Sequence, residues 1–94
     1  MADPAARTLT LALRGVLSRD ELPALADGIG RRLEAARPAI AIVDVAGLDA
    51  DAVSLEALAL IALQARRAGC CIRLHGCSNR LRAMIELAGL GELF

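Results

Sequence analysis

Three carboxylates stand close together in one short stretch of this chain: Asp44, Asp49 and Asp51, in the sequence VDVAGLDADAV. Carboxylates at such spacing can hold Mg²⁺ or act as a general acid and base. The rest of the chain lacks a glycine-rich phosphate loop, any lysine, and a nucleophile paired with a base. We therefore expect no catalytic residue, no enzyme activity and no cofactor. The loop still lies where open α/β sheets usually place their functional groups, between the carboxyl end of a strand and the amino end of a helix.

A second set of reactive side chains is Cys70, Cys71, Cys77 and His75. A zinc site needs four ligands at characteristic spacings, and this arrangement matches no common finger. The cysteines are odd in number and two are adjacent, which suits reduced, apolar side chains better than a disulfide. We expect no metal site, and we expect His75 to lie at the end or edge of a strand.

The elements that must position the acidic loop follow from hydrophobic periodicity. An apolar strand ends near Asp44, and a helix begins between Asp51 and Ser54 and ends near Ala68, ahead of Gly69. The same reasoning predicts an α/β fold in the order β-α-β-α-β-α, with a parallel or mostly parallel sheet and helices packed on it. The uninterrupted apolar character of the second strand predicts that both of its faces are covered. The predicted strands are Thr8–Leu13, Ala39–Val45 and Cys71–His75, and the other helices run from near Ser18 or Asp20 to Pro38 and from Ser78 to Gly89.

Length and composition limit the classes of function. Ninety-four residues predict one domain, 1–94, with 1–6 as a frayed terminus. The chain is 56% hydrophobic, but its longest uncharged apolar run, Ala57–Leu63, is too short to cross a membrane, and we expect a cytoplasmic protein. A formal net charge of zero argues against unaided nucleic-acid binding. Phe94 is the single aromatic residue, so a nucleobase-stacking platform is disfavoured.

The helix after the acidic loop is apolar nearly all the way round. One apolar stripe is formed by Leu55, Leu58, Ala59, Ala62 and Ala65, and three further apolar residues leave that stripe: Leu60, Ile61 and Leu63. Two interpretations stay open at this point. The helix is covered on several sides by the rest of the domain, or part of it is an exposed apolar patch that binds a partner or a second copy of the chain.

The order of these motifs resembles the STAS domain family, which includes bacterial anti-sigma-factor antagonists and the cytoplasmic tails of sulfate transporters. The carrying segments are VDVAGL at 43–48, the acidic residue Asp51 ahead of a helix that ends at Gly69, and Ala88-Gly89-Leu90 near the end. Gly15 lies where the family usually has glycine ahead of its first helix. The resemblance covers about 8–94 and implies a non-catalytic protein-interaction module in signalling and transcription regulation.

The chain departs from the family at the switch position. The serine that is phosphorylated in regulated antagonists is replaced by Ala52, and Ser54 is the nearest hydroxyl. Resemblance therefore implies an antagonist that binds an anti-sigma factor or a related kinase-fold ATPase without a phosphoswitch at Ala52. Ser54 is a substitute phosphoacceptor or an ordinary first-turn residue. The alternative is a cytoplasmic STAS subunit of a lipid or anion ABC-type transport complex. The residues predicted to bind the partner are Asp49, Asp51, Ala52, Val53, Ser54, Leu55, Glu56 and Leu58.

Overall fold

The computed structural model describes residues 7–94, so the predicted frayed terminus, 1–6, lies outside the described residues. The predicted order β-α-β-α-β-α is confirmed. The strands are β1 (Thr8–Gly15), β2 (Ile40–Leu48) and β3 (Cys71–His75), and the helices are α1 (Leu22–Ala36), α2 (Ala52–Arg67) and α3 (Asn79–Leu87).

The three described strands form one parallel sheet in the order β1-β2-β3. The register shifts near the end of β2, where Ala12 pairs with Asp44 but Arg14 pairs with Gly47. One extra residue of β2 is thereby accommodated as a β-bulge, which bends a strand and changes the direction of its end. Because β1 continues to Gly15, β2 keeps a pairing partner as far as Leu48, three residues beyond the predicted end at Val45.

Among residues 7–94, the hydrophobic core lies on one face of the sheet only. Leu11, Val43 and Ile72 point into the core. The other face of the sheet carries Ile42, which is half-buried, and its neighbour on β3, Arg73, which is exposed. The prediction that β2 is covered on both faces is therefore wrong. Successive strands lie side by side in chain order, so crossovers of the same hand place α1 and α2 on the same side of the sheet.

Helix α2 buries one stripe and exposes another. Leu58 is 0% exposed and Ile61 is 1% exposed, whereas Leu63 is 44% exposed and Ala59 and Leu60 are half-buried. The prediction that Ile61 leaves the buried stripe is therefore wrong, because the sheet and the other helices cover it. An apolar outer strip that includes Leu63 is left uncovered by residues 7–94, and binding at that strip stays a prediction. Its buried residues are Ser54, Ala57, Leu58, Ile61, Ala62 and Ala65.

Two glycines of the chain lie close to neighbouring elements. A β-carbon on Gly30, in the middle of α1, would lie 2.9 Å from Oε1 of Gln64, the end of a flexible side chain that can move aside. Gly76 follows β3 with a φ of +73°, and a β-carbon there would lie 2.7 Å from Cβ of Ala46. Gly76 therefore brings the loop ahead of α3 against the end of β2. Helix α3 begins just beyond, where Ser78 Oγ accepts a hydrogen bond from the Leu81 N–H at 3.1 Å, as the predicted cap requires.

We expect Gly76→Ala to destabilise the fold more than Gly89→Ala. Both glycines have a positive φ, which costs an L-residue about 1–2 kcal/mol. At Gly89 a β-carbon would meet nothing within 4 Å, whereas at Gly76 it would overlap Ala46 and cost about 1–3 kcal/mol more. Urea unfolding of both variants measures the difference in free energy of unfolding. Equal losses would show that the loop after β3 moves away from β2 at no cost.

Candidate partner-binding surface

The acidic loop ends in a helix cap. Asp51 Oδ1 accepts a hydrogen bond from the Ser54 N–H at 2.8 Å, so Asp51 is the N-cap of α2. This bond lowers the pKa of the Asp51 carboxyl below its ordinary value. Asp51 therefore shapes the start of α2 and stays ionised at neutral pH.

The loop between β1 and α1 lies beside the start of α2. The Asp49 N–H donates to the Gly15 carbonyl at 2.9 Å, which ties the two loops together. Arg19 then makes a two-pronged ion pair with Glu56: Nη2 lies 2.9 Å from Oε1 and Nε lies 3.1 Å from Oε2. The pair raises the pKa of Arg19, chiefly through the hydrogen bond to Glu56. No other ion pair is found among the side chains of residues 7–94.

Sequence reasoning missed two residues between β1 and α1, Val16 and Arg19. Val16 follows Gly15 and is 72% exposed. The signal available in the sequence was weak: an apolar pair, Val16-Leu17, placed between a glycine and a helix cap. Nothing in the sequence indicates that Arg19 reaches Glu56, since 37 positions separate them.

The predicted binding residues divide between the surface and the interior. Asp49, Ala52 and Glu56 are exposed, and Asp51 and Val53 are half-buried at the start of α2. Leu55 is also half-buried, and it packs against the hydrophobic core. These positions and the β1–α1 loop form what we call the docking surface: Val16, Arg19, Asp49, Asp51, Ala52, Val53 and Glu56.

Leu58 and Ser54 do not belong to the docking surface. Leu58 is 0% exposed and belongs to the core cluster, so it has no surface to offer a partner. Ser54 is also 0% exposed, and its Oγ has no hydrogen-bond partner among the described residues. A kinase could reach that hydroxyl only if the first turn of α2 opened. Ala52, in contrast, is exposed but carries no hydroxyl.

Several other polar side chains that the sequence singled out lie outside the docking surface. Asp44 Oδ1 accepts from the Ala46 N–H at 3.0 Å, which supports the bulged end of β2. Cys70 is buried and His75 is exposed at the end of β3. Burial raises the pKa of the Cys70 and Cys77 thiols, which disfavours the thiolates that bind metals. Within residues 7–94 no group of three or more His, Cys, Asp or Glu side chains is placed to hold a metal ion.

The geometry agrees with what comparisons with known proteins find. A family model described as "Mlab, STAS domain" matches residues 2–94. The chain belongs to the STAS domain family. Among solved structures, this STAS domain is similar to a sulfate transporter family protein from Wolinella succinogenes, with a TM-score of 0.65 and 20% identity. The match covers 90% of this chain and 69% of that one, and at this identity it shows a shared fold.

A search of curated proteins found no match to this STAS domain. Of the helices in residues 7–94, none is both long enough and apolar enough to cross a membrane.

The cap at Asp51 predicts a pH-dependent stability. A carboxyl whose pKa is lower in the folded than in the unfolded protein contributes stability above its unfolded value, 3.8 for Asp51, and loses it as the pH falls through the folded value. At neutral pH we expect the parent protein to have a larger free energy of unfolding than the Asp51→Asn variant. Below about pH 4 we expect this difference between the two proteins to shrink. Asparagine keeps the capping oxygen, so Asp51→Ala serves as the reference for loss of the cap itself. A difference that stays constant down to pH 2 would contradict the assignment.

Proposed function

We propose that this STAS domain is a non-catalytic interaction module that binds a partner protein through the docking surface. The observation that carries the proposal is the Arg19–Glu56 pair, which joins the loop that exposes Val16 to the first turns of the capped helix α2. An apolar side chain with a charged rim is the usual composition of a protein-binding patch. The exposed carboxylates Asp49 and Glu56 add charges that orient a partner rather than react with it.

Binding at this surface is constitutive in our proposal. The exposed first residue of α2 is Ala52, and the one hydroxyl of that helix, on Ser54, is buried. A phosphate added at Ser54 would also lie 2 to 3 positions from the carboxylates of Asp51 and Glu56, which oppose it. The family's regulatory switch therefore has no accessible acceptor in α2.

A constitutive surface suits a permanent subunit, and this changes the order of the two candidate partners. We place first a cytoplasmic subunit that braces the ATPase or permease of a lipid or anion transport complex. The outer strip of α2, with Leu63 44% exposed, supports this candidate because obligate interfaces are more apolar than transient ones. The second candidate is an antagonist that occupies an anti-sigma factor or a related kinase-fold ATPase, which the loop at the start of α2 favours.

The docking surface predicts which substitutions abolish binding. We expect Val16→Asp and Ala52→Trp each to weaken partner binding by about tenfold or more, because they put a charge or bulk at the centre of the contact. Leu87→Asp and Ala83→Trp are the matched controls, since Leu87 is 88% exposed and Ala83 is exposed on α3. Binding is measured by titration against two purified ATPases of the native host, one transporter ATPase and one anti-sigma factor of the kinase fold.

The outcomes separate the two candidates. Binding to the transporter ATPase that is lost in Val16→Asp and kept in Leu87→Asp supports the transport subunit, and the same pattern with the anti-sigma factor supports the antagonist. Binding to neither protein, or equal affinities of the docking and control variants, overturns the proposal. Melting temperatures of all four variants close to that of the parent chain exclude unfolding as the cause of a loss.

A further inference from the structure

A second concave surface lies at the opposite end of the sheet from the docking surface. It is a cleft of about 600 Å³ between the residue preceding β1, the end of α1 and the end of α2. Three arginines line it: Arg7, Arg37 and Arg67. Within residues 7–94, none of the three guanidinium groups has a carboxylate oxygen within 4.0 Å. The ion pair found in that part of the chain is the one between Arg19 and Glu56.

Arg37 occupies a position that the backbone does not favour for it. Its φ of 45° and ψ of 54° lie in the left-handed region, where it is the one residue other than glycine among those described. The Arg37 N–H closes the end of α1 by donating to the Leu33 carbonyl at 2.8 Å, a bond that glycine would make without strain. At a position where glycine would end the helix without strain, the chain thus places a guanidinium at the wall of the cleft.

Arg67 is not needed to complete the end of its helix. The Gly69 N–H donates to the Arg66 carbonyl at 3.1 Å and the Cys70 N–H donates to the Ala65 carbonyl at 2.9 Å. This Schellman pattern satisfies carbonyls at the end of α2 with backbone donors alone. The Arg67 side chain therefore makes no contribution to this cap of α2, and its guanidinium lies at the wall of the cleft.

The charges around the cleft sum to a positive value. Glu34 also lines it and contributes one negative charge, and the ends of α1 and α2 each contribute about half a negative charge. Three guanidinium groups exceed these contributions. The lining of the cleft also includes Leu33, which is 0% exposed, and the buried Pro38. The arginines therefore surround well-packed apolar residues.

We infer that this cleft binds a phosphate group of the monoester class. Guanidinium groups match phosphate oxygens with paired hydrogen bonds, and a phosphate monoester carries close to two negative charges at neutral pH. The group is carried by a small soluble molecule or by a lipid headgroup of the same chemistry. The cleft lies away from the docking surface, so this inference does not depend on the proposed function.

The test compares two sources of the same group. In the first arm, glycerol 3-phosphate is titrated into the ¹⁵N-labelled protein at constant ionic strength, and the amide shifts of Arg37, Ala68 and Gly69 are followed by NMR. In the second arm, the protein is sedimented with phosphatidylcholine vesicles that contain or lack phosphatidic acid. Saturable shifts confined to the cleft support a soluble ligand, and sedimentation that requires phosphatidic acid supports a lipid headgroup.

Three variants make the test specific. Arg37→Gly removes one guanidinium and relieves the left-handed strain, so we expect an unchanged or higher melting temperature and about tenfold weaker binding. Glu34→Gln removes the opposing carboxylate and is expected to strengthen binding. Arg80→Ala, on exposed α3, removes the same charge elsewhere and is expected to leave binding unchanged. The inference is overturned by no saturable binding in either arm, or by an Arg80→Ala loss equal to that of Arg37→Gly.

Discussion

The position of β2 between β1 and β3 is the constraint on which the rest of this structure depends. Its inward side chains, Val43 and Val45, are 0% and 2% exposed and form the centre of the core. Because both neighbouring strands run parallel to it, the loops that follow β1, β2 and β3 all emerge at one edge. The bulge before Gly47 and the tie between Asp49 and Gly15 then set the direction in which the chain enters α2.

Because the helices in residues 7–94 cover only one face of the sheet, each helix must fill its own part of the single core. Helix α2 must fill the space above β2 and β3, and it does so with small residues such as Ala57 and Ala65 between Leu58 and Ile61. Its apolar surplus, Leu60 and Leu63, is left on the outside because no second layer of the described chain covers it. The composition of this helix thus supplies the core on one side and an exposed apolar strip on the other.

The net charge of zero conceals a separation of charge along the strands. Acidic side chains such as Asp49, Asp51 and Glu56 gather at the carboxyl ends of the strands, near the amino end of α2, where the helix dipole favours them. Arginines such as Arg37 and Arg67 gather at the other edge, near the helix carboxyl ends. The two surfaces therefore differ in charge and lie at opposite edges of the sheet.

The sequence by itself determined the features that depend on neighbouring residues. Strand and helix order, the caps at Asp51 and Ser78, and the glycine stop after α2 follow from interactions within a few positions, which periodicity and cap chemistry reveal. Only the tertiary structure decided which face of α2 is buried, because a helix that is apolar nearly all round has no periodicity that selects a face. Leu58 and Ser54, which the sequence predicts in the binding site, lie in the interior because the fold turns that face of α2 inward. The pairing of Arg19 with Glu56, the exposure of Val16 and the one-sided sheet likewise required the fold, since they depend on which loops and layers meet across long stretches of chain.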